Sequence, residues 1–340
     1  MAVRLRSFAK INIGLVIGPP GIRADGLHEL RTVYQTIALH DTLTISAARG
    51  QHTKIEIKCK NKAVPLDASN TCFKAAERVL AALGISAKVT IAIEKRLPVQ
   101  GGLGAASSNA VATIIGLERA LKKNLPAHDR MRIAQQVGSD VPLFLIGGTV
   151  GGAGRGEQVL PLPDLPELDL VIATPALPVS TPKAFADWDA LFPAVAAGHA
   201  AKNTSELTAP GQSDKLSGFS RELYAWLGRT NFSATSGVPA KGGNRAEALL
   251  LDLVRTGIEN DFERVVFPQF PELRDIKRSL EREGAKYASL SGSGSSVYGL
   301  FSSAAAAVKA AKRLNASGIP AQATKTLSRD QYWSRRKGLL

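Results

Sequence analysis

Residues 97–110 read LPVQGGLGAASSNA and combine small side chains with two consecutive serines. Where side chains are this small, backbone N–H groups are exposed and a ligand approaches them closely, which suits phosphate oxygens. The stretch follows neither the G-x-G-x-x-G pattern nor the P-loop pattern, because no Lys follows the glycines. Its residue types therefore indicate either a phosphate-binding loop or an ordinary glycine-rich turn.

The segments on either side of this stretch favour phosphate binding. Upstream, Val89, Ile91 and Ile93 alternate with small, polar or charged residues and predict a strand that ends before Pro98. Downstream, apolar residues at helical spacing predict a helix over 107–123, with two lysines at its end. A loop that joins a strand to a helix N-terminus presents unpaired N–H donors and the positive end of the helix dipole to an anion.

The composition is that of a globular protein. The chain has 340 residues, of which 44% are hydrophobic and 21% charged, enough for two domains that share a cleft or for one large domain. We expect a cytoplasmic protein, because no uncharged stretch could span a membrane and the N-terminus lacks a signal-peptide core and cleavage site. Cys59 and Cys72 are too few for a disulfide framework or a zinc site, and we expect both as packing residues.

The net charge of +14 could attract nucleic acid, an acidic membrane surface or small polyanionic substrates. Basic residues are scattered, with minor clusters at 58–62 and 334–338. Tyr332 and Trp333 precede the second cluster, but aromatic residues do not interleave with either cluster as a single-strand binder requires. We therefore expect neither nucleic acid nor a membrane as a partner. Two interpretations of the charge stay open: a basic surface that is merely solvated, and an electric field that attracts phosphorylated small molecules.

The order of elements predicts a mixed fold. Strand-like segments such as 54–59 alternate with helical stretches such as 70–83. A proline-rich passage over 160–182 contains the strand-like LDLVIAT and marks the entry to a second domain. Residues 195–246 are rich in Ala, Gly and Ser and predict loops. The glycine–serine run at 289–301 predicts a strand hairpin whose tip lies close to a ligand or to another backbone.

Three glycine-punctuated segments are spread over most of the chain and would be a coincidence unless they converge in space. They are AKINIGL (9–15), PVQGGLGAASSNA (98–110) and SLSGSGSSVYGLF (289–301). In position and character they resemble the three motifs of the GHMP kinases. The resemblance implies an α+β fold with an N-terminal domain like that of ribosomal protein S5 and a C-terminal α/β sandwich domain. It also implies that ATP and the acceptor alcohol bind in the cleft between the two domains.

Four segments narrow this resemblance to the kinases of a cytidine-diphosphate-linked methylerythritol. They are residues 8–43, 138–163, 178–185 and NDFE at 260–263, and DGLHEL together with SDVPLFL is more specific than any glycine run. The resemblance implies transfer of the ATP γ-phosphoryl group to the 2-hydroxyl of this substrate, in the non-mevalonate route to isoprenoid precursors. The alternatives are a homoserine- or mevalonate-type kinase, and a non-catalytic nucleic-acid-binding protein.

The resemblance also implies the division of the chain. Residues 1–165 form the N-terminal domain, with the ATP loop and the catalytic Asp, and residues 166–325 form the C-terminal domain, with a loop-rich insertion near 195–246. Residues 326–340 follow as a tail. Oligomeric state stays open.

Asp140 and Lys10 are the implied catalytic residues. Phosphoryl transfer needs positioning, charge stabilisation and a group that takes the hydroxyl proton. Asp140 would take the proton, and Lys10 beside it would hold the carboxylate ionised and lower the pKa of the attacking hydroxyl. By residue type alone, Asp140 could be a cap or turn residue near the interior. Lys10, the one charge in FAKINIG, could be a strand-end side chain that reaches solvent.

ATP is the implied cofactor, with Mg²⁺ as its charge neutraliser. Ala105 and Ala106 stand where related kinases usually carry glycines, which predicts a stiffer loop. Ser107 and Ser108 could donate to phosphate oxygens, ligate Mg²⁺ or cap the helix, so the metal ligands stay open. The predicted ATP-binding residues are Pro98, Val99, Gly101, Gly102, Leu103, Gly104, Ala105, Ala106, Ser107 and Ser108.

The implied acceptor-binding residues are Asn12, His28, Thr181 and Phe185. His28 could hydrogen-bond the edge of the cytosine base, and Phe185 could cover one face of it. Related kinases carry a stacking aromatic residue just before this His, where this chain has Leu27, so a two-sided aromatic sandwich is incomplete. Asn12 and Thr181 match positions that line the acceptor site, and could equally be ordinary polar residues.

Overall fold

Two β-sheets with helices packed on them make up the fold, in a computed structural model that describes residues 2–192, 218 and 258–336. The strands of this part are β1 (Ala2–Ile17), β2 (Leu30–Arg49), β3 (Lys54–Cys59), β4 (Ala87–Glu94), β5 (Thr149–Ala153), β6 (Gln158–Pro161), β7 (Asp169–Ala173), β8 (Tyr287–Leu290), β9 (Val297–Phe301) and β10 (Ala321–Lys325). The helices are α1 (Thr71–Leu83), α2 (Ala105–Leu121), α3 (Ala127–Val137), α4 (Leu143–Ile146), α5 (Thr181–Asp189), α6 (Glu263–Gln269), α7 (Pro271–Arg282), α8 (Ala304–Ala316) and α9 (Arg329–Arg336).

The first sheet is organised around the long strand β2. One edge of β2 pairs with β1 along most of its length, and the other edge pairs with β4 and with β5. Strand β3 then pairs with β4, and strand β6 pairs with β5. Helices α1 and α2 cover one face, where α2 lies so close that a Cβ at Gly116 would overlap the side chain of Ile45. Cys72 lies in this core, and Cys59 packs partly buried against it. Both cysteines are therefore packing residues, as predicted.

The second sheet is antiparallel, with the order β10-β7-β9-β8. Helix α7 buries Leu273, Ile276 and Leu280, whose spacing places one apolar stripe on the sheet. The change of sheet occurs between β6 and β7, within the proline-rich passage from which the second domain was predicted. The loop-rich insertion predicted near 195–246 lies outside the described residues apart from Gly218.

The end of the chain returns to the first sheet. Residues 329–336, expected within a tail, form α9 on the N-terminal half. The Tyr332 hydroxyl donates to the Phe144 carbonyl at 2.7 Å, and the Trp333 indole N–H donates to the Ile146 carbonyl at 2.8 Å. Tyr332 is fully buried and Trp333 is partly buried against the core of this half, which holds α9 in place. Among the described residues, no helix is long and apolar enough to cross a bilayer.

Candidate active site

The glycine-rich stretch joins β4 to α2, as its flanking pattern predicted. Gly104, at φ +65°, is the residue before the helix, and the Ser108 N–H makes the first helical bond to its carbonyl. The N–H groups of the first helical turn therefore lack intrahelical partners and face outward from the helix end. The stretch lines a cavity of about 320 Å³, which we term the loop cavity. This geometry suits an anion.

Glycine is required in this loop by close approach as well as by backbone conformation. At Gly102 (φ +74°) a Cβ would overlap the carbonyl oxygen of Ser291. At Gly104 a Cβ would lie 2.9 Å from Phe144 Cζ and 3.0 Å from Lys10 Cγ, closer than real side chains pack. Ala105 and Ala106 instead lie within α2, where alanine is the better helix former, and the stiffer loop expected from them stays a prediction.

The three glycine-punctuated segments converge, as predicted. The Lys10 N–H donates to the Leu103 carbonyl at 3.0 Å, which joins the first segment to the second. The Ser296 N–H donates to the Gly101 carbonyl at 3.2 Å, which joins the third to the second. Residues 291–296 form the tip of the β8–β9 hairpin, so the tip does lie against another backbone.

Lys10 and Asp140 face each other in a second cavity of about 370 Å³, which we term the cleft cavity. Lys10 Nζ lies 3.4 Å from Asp140 Oδ2 and donates to Asn12 Oδ1 at 2.6 Å. The Lys10 side chain is 3% exposed and that of Asp140 is 35% exposed. Lys10 is thus not a strand-end residue in solvent, because β1 continues through it to Ile17. Asp140 is open to a ligand rather than enclosed in the interior.

Tyr34 is a member of this group that sequence reasoning missed. Its hydroxyl donates to Asp140 Oδ1 at 3.1 Å, and its ring lies under Lys10 Nζ, 5.5 Å from the centroid. Burial and the neighbouring Asp140 charge raise the pKa of Tyr34 well above its usual range, so the hydroxyl stays protonated and remains a donor. The register places Tyr34 beside Asn12 across the β1–β2 pair. That pairing is the signal that could have found it.

The two serines after the glycines have different surroundings. Ser107 lines both the loop cavity and the cleft cavity. Ser108 is fully buried, and its hydroxyl accepts from the Ser7 hydroxyl at 2.8 Å, turned away from both cavities. Neither serine caps α2, whose first turn has no side-chain cap. Ser107 is therefore the serine that can meet a phosphate group or a metal ion.

Three of the four predicted acceptor residues line the cleft cavity. The Asn12 amide donates to Thr32 Oγ1 at 2.8 Å, which fixes its Oδ1 toward Lys10. Thr181 Oγ1 lies 2.6 Å from Ser293 Oγ, on the hairpin tip. Phe185 is the third.

His28 stands at the side of this cavity. Its ring stacks on Phe185 with centroids 4.7 Å apart, and its Nε2 lies 2.6 Å from Asp189 Oδ1. The Leu27 side chain beside it is 45% exposed. A base that stacks on this face of Phe185 therefore has to displace the His28 ring.

Asp41 joins the two ends of the glycine-rich stretch and was not singled out from the sequence. It is fully buried on β2 and accepts four hydrogen bonds. The N–H groups of Arg96 and Leu97, before the loop, donate to its Oδ1 at 2.8 Å each. Lys95 Nζ and the Asn109 amide, the latter within α2, donate to its Oδ2 at 2.7 and 3.1 Å.

Family comparisons agree with this fold and site. The family model described as GHMP kinases N terminal domain matches residues 70–148, and the model described as GHMP kinases C terminal matches residues 246–319. The chain belongs to the GHMP kinases and is a small-molecule kinase that uses ATP. The resemblance seen in the sequence is confirmed, and the alternative of a non-catalytic protein is excluded.

Within the GHMP kinases, two similar relatives carry the same name. The chain is 38% identical over 297 residues to the 4-diphosphocytidyl-2-C-methyl-D-erythritol kinase of Solibacter usitatus (strain Ellin6076), covering 87% of this chain and 80% of that one. It is 33% identical to the kinase of the same name from Prosthecochloris aestuarii (strain DSM 271 / SK 413), over 93% of this chain and 95% of that one.

Solved structures share the fold. A crystal structure of 4-(cytidine 5'-diphospho)-2C-methyl-D-erythritol kinase matches with a TM-score of 0.67 and 26% identity, over 95% of this chain and 99% of that one. The homoserine kinase from Cytophaga hutchinsonii ATCC 33406 matches with a TM-score of 0.65 and 18% identity, over 96% and 95%. At 18% identity, the homoserine kinase shows the shared fold alone.

Proposed function

We propose that this protein transfers the γ-phosphoryl group of ATP to the 2-hydroxyl of 4-diphosphocytidyl-2-C-methyl-D-erythritol. The observation that carries the proposal is the Lys10–Asp140–Tyr34 group, which lies between the glycine-rich loop and the acceptor residues in one cavity. Relatives at 38% and 33% identity carry the name of this kinase. Because ATP and a diphosphate-bearing acceptor are cytoplasmic metabolites, we place the reaction in the cytoplasm.

In this mechanism Asp140 acts as the general base. The acceptor hydroxyl oxygen attacks the γ-phosphorus, the bond from that phosphorus to the β-bridging oxygen breaks, and the hydroxyl proton passes to Asp140. Lys10 stabilises the charge that develops, and its bond to Asn12 Oδ1 fixes its position. Tyr34 orients the Asp140 carboxylate through Oδ1, which leaves Oδ2 toward Lys10.

The loop residues 98–108 would hold ATP through backbone N–H groups at the start of α2. Ser107 adds a hydroxyl at the junction of the two cavities, whereas Ser108 supports the loop from behind through Ser7. The Ser107 hydroxyl is a hard oxygen donor that lines both cavities, which fits Mg²⁺. When bound, Mg²⁺ neutralises charge on the transferring phosphate.

On the acceptor side, Asn12 and Thr181 would contact the methylerythritol portion, and Phe185 with His28 would contact the cytosine. The Asp189 carboxylate engages Nε2 of His28, so Nδ1 and the backbone are the groups that His28 offers to a base edge. Leu27 supplies an apolar side chain where a stacking ring would stand.

The test is ATP consumption by the purified protein with a panel of acceptor alcohols. We expect turnover with 4-diphosphocytidyl-2-C-methyl-D-erythritol and its 2-phosphate as the product by phosphorus NMR. Homoserine and mevalonate serve as the competing acceptors. Faster turnover of either one would replace the proposed substrate while leaving the kinase chemistry in place.

A further inference from the structure

The segment NDFE at 260–263 is part of the sequence resemblance, and its Phe262 lines the cleft cavity, but its polar residues have no role in the site described so far. Asn260, at its start, is buried, with 1% of its surface exposed. Its amide nitrogen donates to the carbonyls of Leu290 and Gly292, both at 2.8 Å, and its Oδ1 accepts from the Phe262 N–H at 3.0 Å. Both amide hydrogens are thus engaged, which fixes the orientation of the side chain.

Of the two carbonyls that Asn260 holds, that of Leu290 precedes the hairpin tip, residues 291–296, and that of Gly292 belongs to it. Gly292 and Ser293 of the tip line the cleft cavity. A Cβ at Gly292 would lie 3.5 Å from Lys10 Nζ and 3.7 Å from Asn12 Oδ1, so the tip backbone forms a wall beside the reacting groups.

The opposite side of the tip supports the glycine-rich loop. The Ser291 hydroxyl donates to the Gly102 carbonyl at 3.0 Å, and the Ser291 carbonyl fills the space where a side chain at Gly102 would lie. A displacement of the tip would therefore move the phosphate side and the acceptor side of the site relative to each other.

The NDFE segment is also attached to β1, the strand that carries Lys10. The Asp261 N–H donates to the Leu15 carbonyl at 2.8 Å, and its Oδ2 accepts from the Ile17 N–H at 2.9 Å. The Leu15 N–H donates to the Glu259 carbonyl at 3.0 Å. Asn260 thus lies between the strand that carries Lys10 and the hairpin tip that lines the cleft cavity.

We propose that Asn260 is a positioning residue that sets the distance between the phosphate loop and the acceptor by holding the hairpin tip against β1. This inference rests on the proposed roles of Lys10 and the loop. Displacing reacting groups by about 1 Å can cost on the order of 100-fold in rate, even when each ligand still binds. Loss of the Asn260 bonds should therefore lower kcat more than it raises either KM.

The experiment compares Asn260→Asp and Asn260→Ala with Asn315→Asp, a control that has the same bonding pattern at an exposed position. Asn315 makes the same set of bonds, donating to the Ala311 and Ala321 carbonyls at 2.8 Å each and accepting from the Ala321 N–H at 3.1 Å, but it connects α8 to β10. Aspartate cannot donate to the two carbonyls at either position. The alanine variant removes the Asn260 bonds without adding a buried charge, in case the aspartate variant does not fold.

We expect kcat of the Asn260 variants to fall by about tenfold or more at saturating ATP and acceptor, with each KM changed by less than about threefold. Asn315→Asp should lower Tm with kcat unchanged. Asn260 variants that lower Tm but keep the wild-type kcat would overturn the proposal, as would a rise in KM with kcat retained. Failure of the proposed function itself would be seen separately, as wild-type enzyme that does not turn over this acceptor.

Discussion

The loop cavity and the cleft cavity share Gly102, Gly104 and Ser107 but are built from different parts of the chain. At the start of α2 the loop cavity presents backbone N–H groups from small residues, and those donors do not depend on side-chain identity. The cleft cavity presents Lys10, Asn12, Tyr34 and Asp140, whose side chains come from distant elements. Anion binding can therefore be encoded locally, whereas proton transfer needs side chains that only packing brings together.

The substitution with the largest expected effect tests whether proton transfer depends on the cleft cavity and not on the loop cavity. Asp140→Asn is nearly isosteric but removes the proton acceptor, so kcat should fall by roughly 10² to 10⁴. ATP affinity, which we assign to the loop cavity, should stay within about twofold of wild type by calorimetry. Near-normal turnover would remove Asp140 from the mechanism, and a matching loss of ATP affinity would erase the distinction between the cavities.

Gly104→Val tests the backbone character of the loop cavity. A β-branched residue at φ +65° costs roughly 1 to 3 kcal/mol, and its Cβ would press on Phe144 and Lys10. We expect ATP Kd to rise by at least about tenfold, with a fall in kcat because Lys10 is displaced.

Gly84→Val is the control for that substitution. Gly84 has a similar φ of +62° at the end of α1, with open space around its Cβ position. It should lower Tm without changing ATP Kd. Equal ATP Kd for wild type and Gly104→Val would count against a phosphate role for the loop.

Asp41→Asn tests whether the geometry of the loop cavity depends on a single buried side chain. Asparagine can still accept from the two N–H groups before the loop, but its amide would face the donors Lys95 Nζ and Asn109 Nδ2. Hydrogen bonds to charged groups contribute about 1.5 to 3 kcal/mol, so stability should drop. The KM for ATP should rise about threefold to tenfold, with the acceptor KM unchanged.

Glu118→Gln provides the matched control at the other end of α2. Glu118 is also buried, and it accepts from the Leu125 N–H at 2.6 Å and from Arg130 Nε at 2.9 Å. The Glu118→Gln variant should be less stable than wild type, with the KM for ATP and the KM for the acceptor both unchanged. If Asp41→Asn behaves the same way, Asp41 only supports the fold.

The smallest expected effect concerns cytosine recognition beside the cleft cavity. Leu27→Tyr adds a ring next to the stacked His28 and Phe185. Base stacking on an aromatic ring contributes about 1 to 3 kcal/mol, and a partly covered site should gain toward the lower end. We expect a roughly fivefold lower KM for the cytidine substrate with kcat unchanged, in steady-state kinetics.

His28→Ala should act in the opposite direction and reduce discrimination between cytidine and uridine analogues. An unpaired base edge costs more than a lost contact. No change in KM with either substitution would mean that the DGLHEL segment does not contact the base.

The sequence by itself determined the elements whose signals are local. A strand, a run of glycines and a helix start are neighbours along the chain, so the strand–loop–helix arrangement around 98–108 followed from residue types and spacing. The hairpin at 289–301 followed for the same reason. Small residues in both segments also indicated that backbones would approach closely, as Gly102 and Ser291 do.

The tertiary structure alone decided which side chains meet. Tyr34 reaches Asp140 because β2 pairs with β1, and Ser108 turns to Ser7 because α2 packs on that strand pair. His28 lies on Phe185 because α5 brings Phe185 and Asp189 to the end of the β1–β2 connection. These contacts join residues more than 100 positions apart in the chain. Local pattern cannot specify them, because their energy arises when separate elements bury their apolar faces against one another.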